Sequence, residues 1–182
     1  VIQGFGYTYS WDMAENQATL INDNPENKKL PYAYSYIDAN KMTSIKDQGK
    51  YGTCWAFAAL TALETALLPE HKMTFAADHM SIANSFNLSQ NEGGEYAMAI
   101  AYLTSWQGPV LEKDDPYGDG VTDESLSSVV HVQGAQIIEA KDFDTIKQMV
   151  YKYGGVQSSI YMSLAYNGSY SKYYNNNESA YC

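Results

Sequence analysis

Residues 48–57 read Gln48-Gly49-Lys50-Tyr51-Gly52-Thr53-Cys54-Trp55-Ala56-Phe57, a loop broken twice by glycine that runs straight into an apolar helical pattern. Cys54 stands at the junction. The run from Cys54 to Leu68 is apolar nearly all round, is built of strong helix formers and stops at Pro69, which predicts a buried helix. A cysteine in the first turn of such a helix faces unpaired backbone N–H groups and the positive end of the helix dipole, and both favour thiolate over thiol. Position alone leaves a core filler as the stronger reading, because cysteines are among the most buried residues and this helix is apolar. The flanking residues reverse it. Gly49 and Gly52 allow a tight loop that turns the Cys54 N–H into a cleft, and Gln48, six residues upstream, offers an amide N–H to the same place. Two such donors make an oxyanion hole, for which a core cysteine has no use.

Downstream of this helix a second helical pattern runs from about Asp78 to Phe86, and a third from Glu95 to Trp106 before Gly108-Pro109 ends it. After Asp119-Gly120 the character changes. Val129-Val130-His131-Val132, Ile137-Ile138 and the run 156–162 are strand-like, with a short helix between them over 144–153, N-capped by Asp144 and closed by Gly154-Gly155. The order is a helical lobe followed by the start of a β lobe. We divide the chain into an N-terminal extension or propeptide remnant (1–29), a helical lobe carrying the nucleophile (30–120) and the first part of a β lobe (121–182). The Tyr-, Asn- and Ser-rich stretch from Tyr166 to Tyr181 reads as exposed loop.

Composition narrows the function. A chain of 182 residues that is 45% hydrophobic can bury a core. With 11 basic against 21 acidic residues, and no Lys/Arg cluster to follow a phosphate backbone, nucleic acid is excluded as a partner. No apolar run has the ~18 to 20 residues of a membrane span, and the N-terminus lacks the pattern of a signal peptide. The two cysteines, Cys54 and Cys182, do not form a disulfide framework. Neither a Walker, a Rossmann nor a zinc-ligand spacing is present, so no metal or cofactor is expected. Sequons stand at Asn87, Asn167 and Asn177.

The stretch from Gln48 to Phe57 resembles the Gln-Gly-x-x-Gly-Ser-Cys-Trp-Ala-Phe signature of papain-like cysteine peptidases, with Thr53 in place of the usual Ser. Further stretches are similar in the same order. Leu30-Pro31 resembles the start of the mature enzyme, Thr43 to Gln48 its Val-Thr-x-Val-Lys-Asn-Gln run, and Asp78-His79-Met80-Ser81 its Leu-Ser-Glu-Gln helix. Asn91-Glu92-Gly93-Gly94 is similar to Cys-Asn-Gly-Gly and Asp115-Pro116-Tyr117 to Tyr-Pro-Tyr. The lack of structural cysteines near the helix and the segment Trp106 to Glu112 resemble bacterial members, especially clostridial-type cell-surface peptidases.

The resemblance implies an α+β, papain-like two-lobe fold, with a helical left lobe and a β-barrel-like right lobe that is incomplete in this chain. It implies a cysteine endopeptidase acting on polypeptides, secreted or at the cell surface, with Cys54 as nucleophile and Gln48 as oxyanion donor. Gly52, Gly93 and Gly94 would line the substrate cleft, Tyr96 and Ser159 would border a subsite, and Trp55 would pack beside the site. The family also needs a histidine and an asparagine, ~130 to 150 residues downstream of the cysteine, which places them at about residue 184 or later. His131 comes only 77 residues after Cys54, ahead of the helix and strand that should precede the base. His71 and His79 read as solvated or hydrogen-bonded residues. A second chain or a continuation carrying His and Asn is therefore expected as partner. The alternative is a catalytically inactive module of the same fold that binds proteins or glycans.

Overall fold

The computed structural model describes residues 29–159. Within them the chain forms four α-helices, α1 (Cys54–Leu67), α2 (Ala77–Ile82), α3 (Tyr96–Thr104) and α4 (Phe143–Lys152), with a single 3-10 turn at Gln90–Glu92. Helix α1 begins on the cysteine and ends where Leu68 turns extended ahead of Pro69, as its run of helix formers predicts. It packs against α2 and α3. Trp55, Ala56, Ala59 and Leu60 of α1 meet Phe75, Ala77 and Met80 around α2, and Met98, Ala99, Tyr102 and Leu103 of α3, in one buried cluster.

One polar pair is buried at this core. Glu64, 1% exposed on α1, receives Lys46 Nζ at 2.5 Å and the Phe75 backbone N–H at 2.9 Å. A carboxylate removed from water needs such partners to offset its desolvation. Glu64 thereby ties the loop ahead of the nucleophile and the entry to α2 onto the same helix.

Helix α2 is shorter than the pattern 78–86 predicts, and Asn84 accounts for it. Its side-chain amide donates to the carbonyls of Met80 (2.9 Å) and Ser81 (3.0 Å), and its own carbonyl accepts from Phe86 N–H. The side chain thus takes the place of the next helical turn, and Ser85 follows in the left-handed region at φ 63°. Helix α4 is capped two residues before the predicted cap. Asp142, not Asp144, accepts the Thr145 N–H at 3.1 Å, while Asp144 sits in the first turn, where its charge still meets the positive end of the helix.

The strand-like runs form no strand among the described residues, although Val129 N–H donates to the Pro109 carbonyl at 2.9 Å. No strand is assigned at 129–132, 137–138 or 156–159, and the single β-bridge joins Phe75 to Leu111, antiparallel. Val130 and Val132 instead pack on the helical core, and Trp106 holds them there by donating from Nε1 to the Val132 carbonyl at 3.0 Å. β-Branched residues favour a strand only where a neighbour completes the ladder. Residues 160–162 of the last run lie outside the described residues, as do 1–28, the Tyr166–Tyr181 stretch and Cys182.

Candidate active site

Thr53 is the residue ahead of α1. It is fully buried, yet its side chain does not cap the helix. Its hydroxyl lies 2.6 Å from the Tyr117 hydroxyl instead. With no side-chain cap and no acidic residue in its first turn, α1 places no negative charge of its own at the positive end where half-buried Cys54 sits.

The loop before Cys54 is closed by its own hydrogen bonds. Gln48 Nε2 donates to the Tyr51 carbonyl at 2.7 Å, and Gly49 N–H, at φ 59°, donates to Asp47. A primary amide carries two N–H groups, so the bond to Tyr51 orients the second. Gly52 N–H donates to the Gln90 carbonyl at 2.9 Å, which joins the loop to the 3-10 turn.

That junction explains two glycines. A Cβ on Gly52 would stand 2.9 Å from the Gly93 nitrogen, and one on Gly94 would stand 2.5 Å from Cε2 and Nε1 of Trp55. Both distances are shorter than side chains tolerate. The sequence therefore brings Gly52, Gly93 and Gly94 together beside α1, with Trp55 buried beneath. Tyr96 opens α3 two residues later and is half-buried; burial, then the charge of Glu95, pushes its hydroxyl pKa up. The segment after α4 runs back along α1, with Gly155 N–H donating to Thr65 Oγ1 at 2.7 Å and Gln157 Nε2 reaching the Trp55 carbonyl at 3.4 Å. Exposed Ser159 follows two residues after Gln157.

Two further residues hold the floor of this site. Asp78, fully buried on α2, accepts from Gln90 Nε2 at 2.6 Å and from Gly118 N–H at 2.8 Å. Tyr117 donates its hydroxyl proton to the Gln48 carbonyl at 2.8 Å. Sequence reading noted Asp78 and Tyr117 only as parts of similar stretches, since their partners lie far off in the chain.

The three histidines serve elsewhere. His71 is exposed after α1. His79 is buried with Nδ1 2.6 Å from Tyr102 Oη, and burial lowers its pKa. His131 stacks on Trp106, ring centroids 4.4 Å apart at 13°. His79 and His131 line a cavity of about 730 Å³ whose wall contains neither Cys54 nor Gln48. No group of three or more His, Cys, Asp or Glu suited to a metal occurs among the described residues, and no helix there is long and apolar enough to cross a membrane.

Comparison with known proteins fits this arrangement. The family described as papain family cysteine protease matches over residues 30–180. A viral cathepsin of Heliothis zea nuclear polyhedrosis virus is 28% identical over 137 residues, covering 72% of this chain and 37% of that protein. The chain thus spans little more than a third of the length of that curated relative. Among solved structures, the cysteine protease and lectin-like domains of Cwp84, a surface layer associated protein of Clostridium difficile, align with TM-score 0.59 and 22% identity, over 86% of this chain and 42% of that one. Recombinant stem bromelain precursor aligns with TM-score 0.60 and 18% identity, over 72% and 44%. At those identities the structures speak for the fold, and the family match over most of the chain speaks for descent: this chain belongs to the papain family of cysteine proteases.

Proposed function

We propose that this chain is the nucleophile-bearing part of a cysteine endopeptidase. The observation that carries the reading is the closed loop 48–53, which ends on a helix N-terminus at Cys54 and holds the Gln48 amide by one of its two protons. In the reaction the thiol proton passes to an imidazole and the Cys54 sulfur attacks a peptide carbonyl, forming the S–C bond and moving charge onto the carbonyl oxygen. The second Gln48 N–H and the Cys54 N–H stabilise that oxyanion. The tetrahedral intermediate collapses as the C–N bond breaks, and an imidazolium protonates the leaving amine. Water then adds to the thioester with the imidazole as base, and the S–C bond breaks to release the acid.

The imidazole comes from outside this chain's three histidines, on a continuation or a second chain that also supplies the asparagine and completes a β-barrel-like right lobe. The placement of His79 and His131 on a different cavity supports this assignment. Gly52, Gly93 and Gly94 present backbone to an extended polypeptide, in the manner of strand addition, with Tyr96 and Ser159 bordering a subsite. Clustering of the glycines over Trp55 supports it. The site is secreted or at the cell surface and of bacterial type, a reading supported by the fold shared with the surface layer associated Cwp84.

The test is hydrolysis of a fluorogenic peptide by the full-length protein. Cys54→Ala abolishes turnover while the thermal midpoint stays put; turnover retained in that variant would overturn the proposal. A wild-type protein that neither turns over peptide nor alkylates at Cys54 with iodoacetamide near pH 6 is an inactive module instead.

A further inference from the structure

Tyr117 lies 64 residues beyond Thr53 and 69 beyond Gln48, yet its hydroxyl touches both. The direction of each bond follows from what the atoms can do. The Gln48 backbone carbonyl can only accept, so the one Tyr117 proton goes there; Thr53 Oγ1, 2.6 Å from the same oxygen, must then donate to it. The result is a relay, Thr53 hydroxyl to Tyr117 hydroxyl to Gln48 carbonyl, that spans the two ends of the loop.

Those ends carry the two oxyanion donors. One is the side chain of Gln48 itself, and the other is the N–H of Cys54, the residue after Thr53. Between them stand Gly49 at φ 59°, Lys50, Tyr51 and Gly52, a stretch whose span would otherwise be set by soft backbone torsions.

Tyr117 is itself held on every side. Its N–H donates to Glu112 Oε1 at 3.0 Å, and the next N–H, of Gly118, donates to buried Asp78. Its ring meets Phe57 edge-on at 4.7 Å and Tyr51 at 6.3 Å. Burial raises its hydroxyl pKa, so the proton stays available over the pH range in which proteins are folded. The Thr53 hydroxyl is consistent with the same function, since a Ser would supply the same donor and a Val would not.

We propose that Tyr117 is a positioning residue of the oxyanion hole, setting the separation of the Gln48 amide and the Cys54 N–H through its two hydrogen bonds. The proposal rests on the acyl-transfer reading above. It goes beyond that reading by assigning the geometry of the hole to a side chain that acts through Thr53 and Gln48.

The test separates a misplaced hole from a damaged thiol. A peptide aldehyde adds the Cys54 S–H across its C=O, forming S–C while the hydrogen ends on an oxygen lying in the hole. Iodoacetamide is displaced at carbon, with S–C formed, iodide lost and the thiol proton released to solvent, and no oxyanion arises. In the full-length protein Tyr117→Phe, which keeps the ring and removes the hydroxyl, lowers kcat about ten- to a hundred-fold and weakens aldehyde binding in parallel. KM and the alkylation rate stay at wild-type values. Thr53→Val behaves like Tyr117→Phe and Thr53→Ser like wild type. Wild-type kcat in Tyr117→Phe, beside a large loss in Gln48→Ala, overturns the relay and leaves the peptidase reading intact. An alkylation rate that falls with kcat also overturns it, because the fault then lies at the thiol. Turnover that survives Cys54→Ala overturns the peptidase reading itself.

Discussion

His79 shows what a single side chain can do to this core. Its ring is 2% exposed, and burial, the largest influence, lowers its pKa below the ordinary 6.5, while the charge of Asp115 acts weakly the other way. A base whose folded pKa is depressed contributes stability that is present above the unfolded value and is lost as pH falls through the folded one. The thermal midpoint should therefore drop as pH falls below about 6.5, and His79→Gln should flatten that drop; an unchanged pH profile in the variant would refute the assignment. Lys46 and Glu64 make a second case. One carboxylate oxygen is served by Lys46 and Phe75, and the other is buried with no hydrogen-bond partner among the described residues. Lys46→Met strands that charge and should cost about 3 kcal/mol in urea unfolding, with much of the loss recovered in Lys46→Met combined with Glu64→Gln. A double variant no more stable than the single one would show that the pair is not coupled. Neither role was legible in the sequence. His79 reads there as a solvated or hydrogen-bonded residue, and the partner that buries it, Tyr102, is 23 residues away.

Among the elements, the Gln90–Glu92 turn and Gly94 come close against the loop before α1 and its first turn. Gly94 lies against the Trp55 ring so closely that Gly94→Ala must push indole or backbone aside. The expected loss is about 1 to 3 kcal/mol by urea denaturation, as overpacked sites show, together with a changed Trp55 fluorescence; an unaltered midpoint and spectrum would contradict the packing. Helices α1 and α3 follow their sequence patterns within about two residues, because apolar spacing and helix formers act over a few neighbours. Helix α2 departs because one asparagine bonds back to its last carbonyls. Helix α4 departs because cap choice depends on which of two nearby aspartates the chain turns toward the Thr145 N–H. Both are choices between equally plausible local hydrogen bonds, and packing makes them.

At the scale of the molecule, large apolar side chains stand exposed around the compact helical core. Tyr32, Ile37, Met42 and Ile45 are exposed within one short segment, and Val121, Phe143 and Val156 are exposed singly farther on. If these side chains stay uncovered in the whole chain, the 182-residue chain prepared alone should bind a hydrophobic dye and associate in light scattering; a non-associating, dye-silent chain would show them to be covered within it. The local pieces of the candidate site were readable without coordinates. The helix start at Cys54, the glycine-broken loop and the Gln48 donor all lie within a few residues of one another, and short-range spacing is what a sequence states directly. Membership of the papain family is written in the same way, in a run of motifs kept in order. What only the tertiary structure decided is how that loop is held: by Asp78 through Gln90 and by Tyr117 through Thr53 and Gln48. It also decided that His79 and His131 face a cavity whose wall lacks the thiol, and that Val130 and Val132 pack on the helical core with no strand assigned to them. The physical reason is common to all three: a buried hydrogen bond or a strand ladder needs a partner brought in by packing, and the residue alone does not name it.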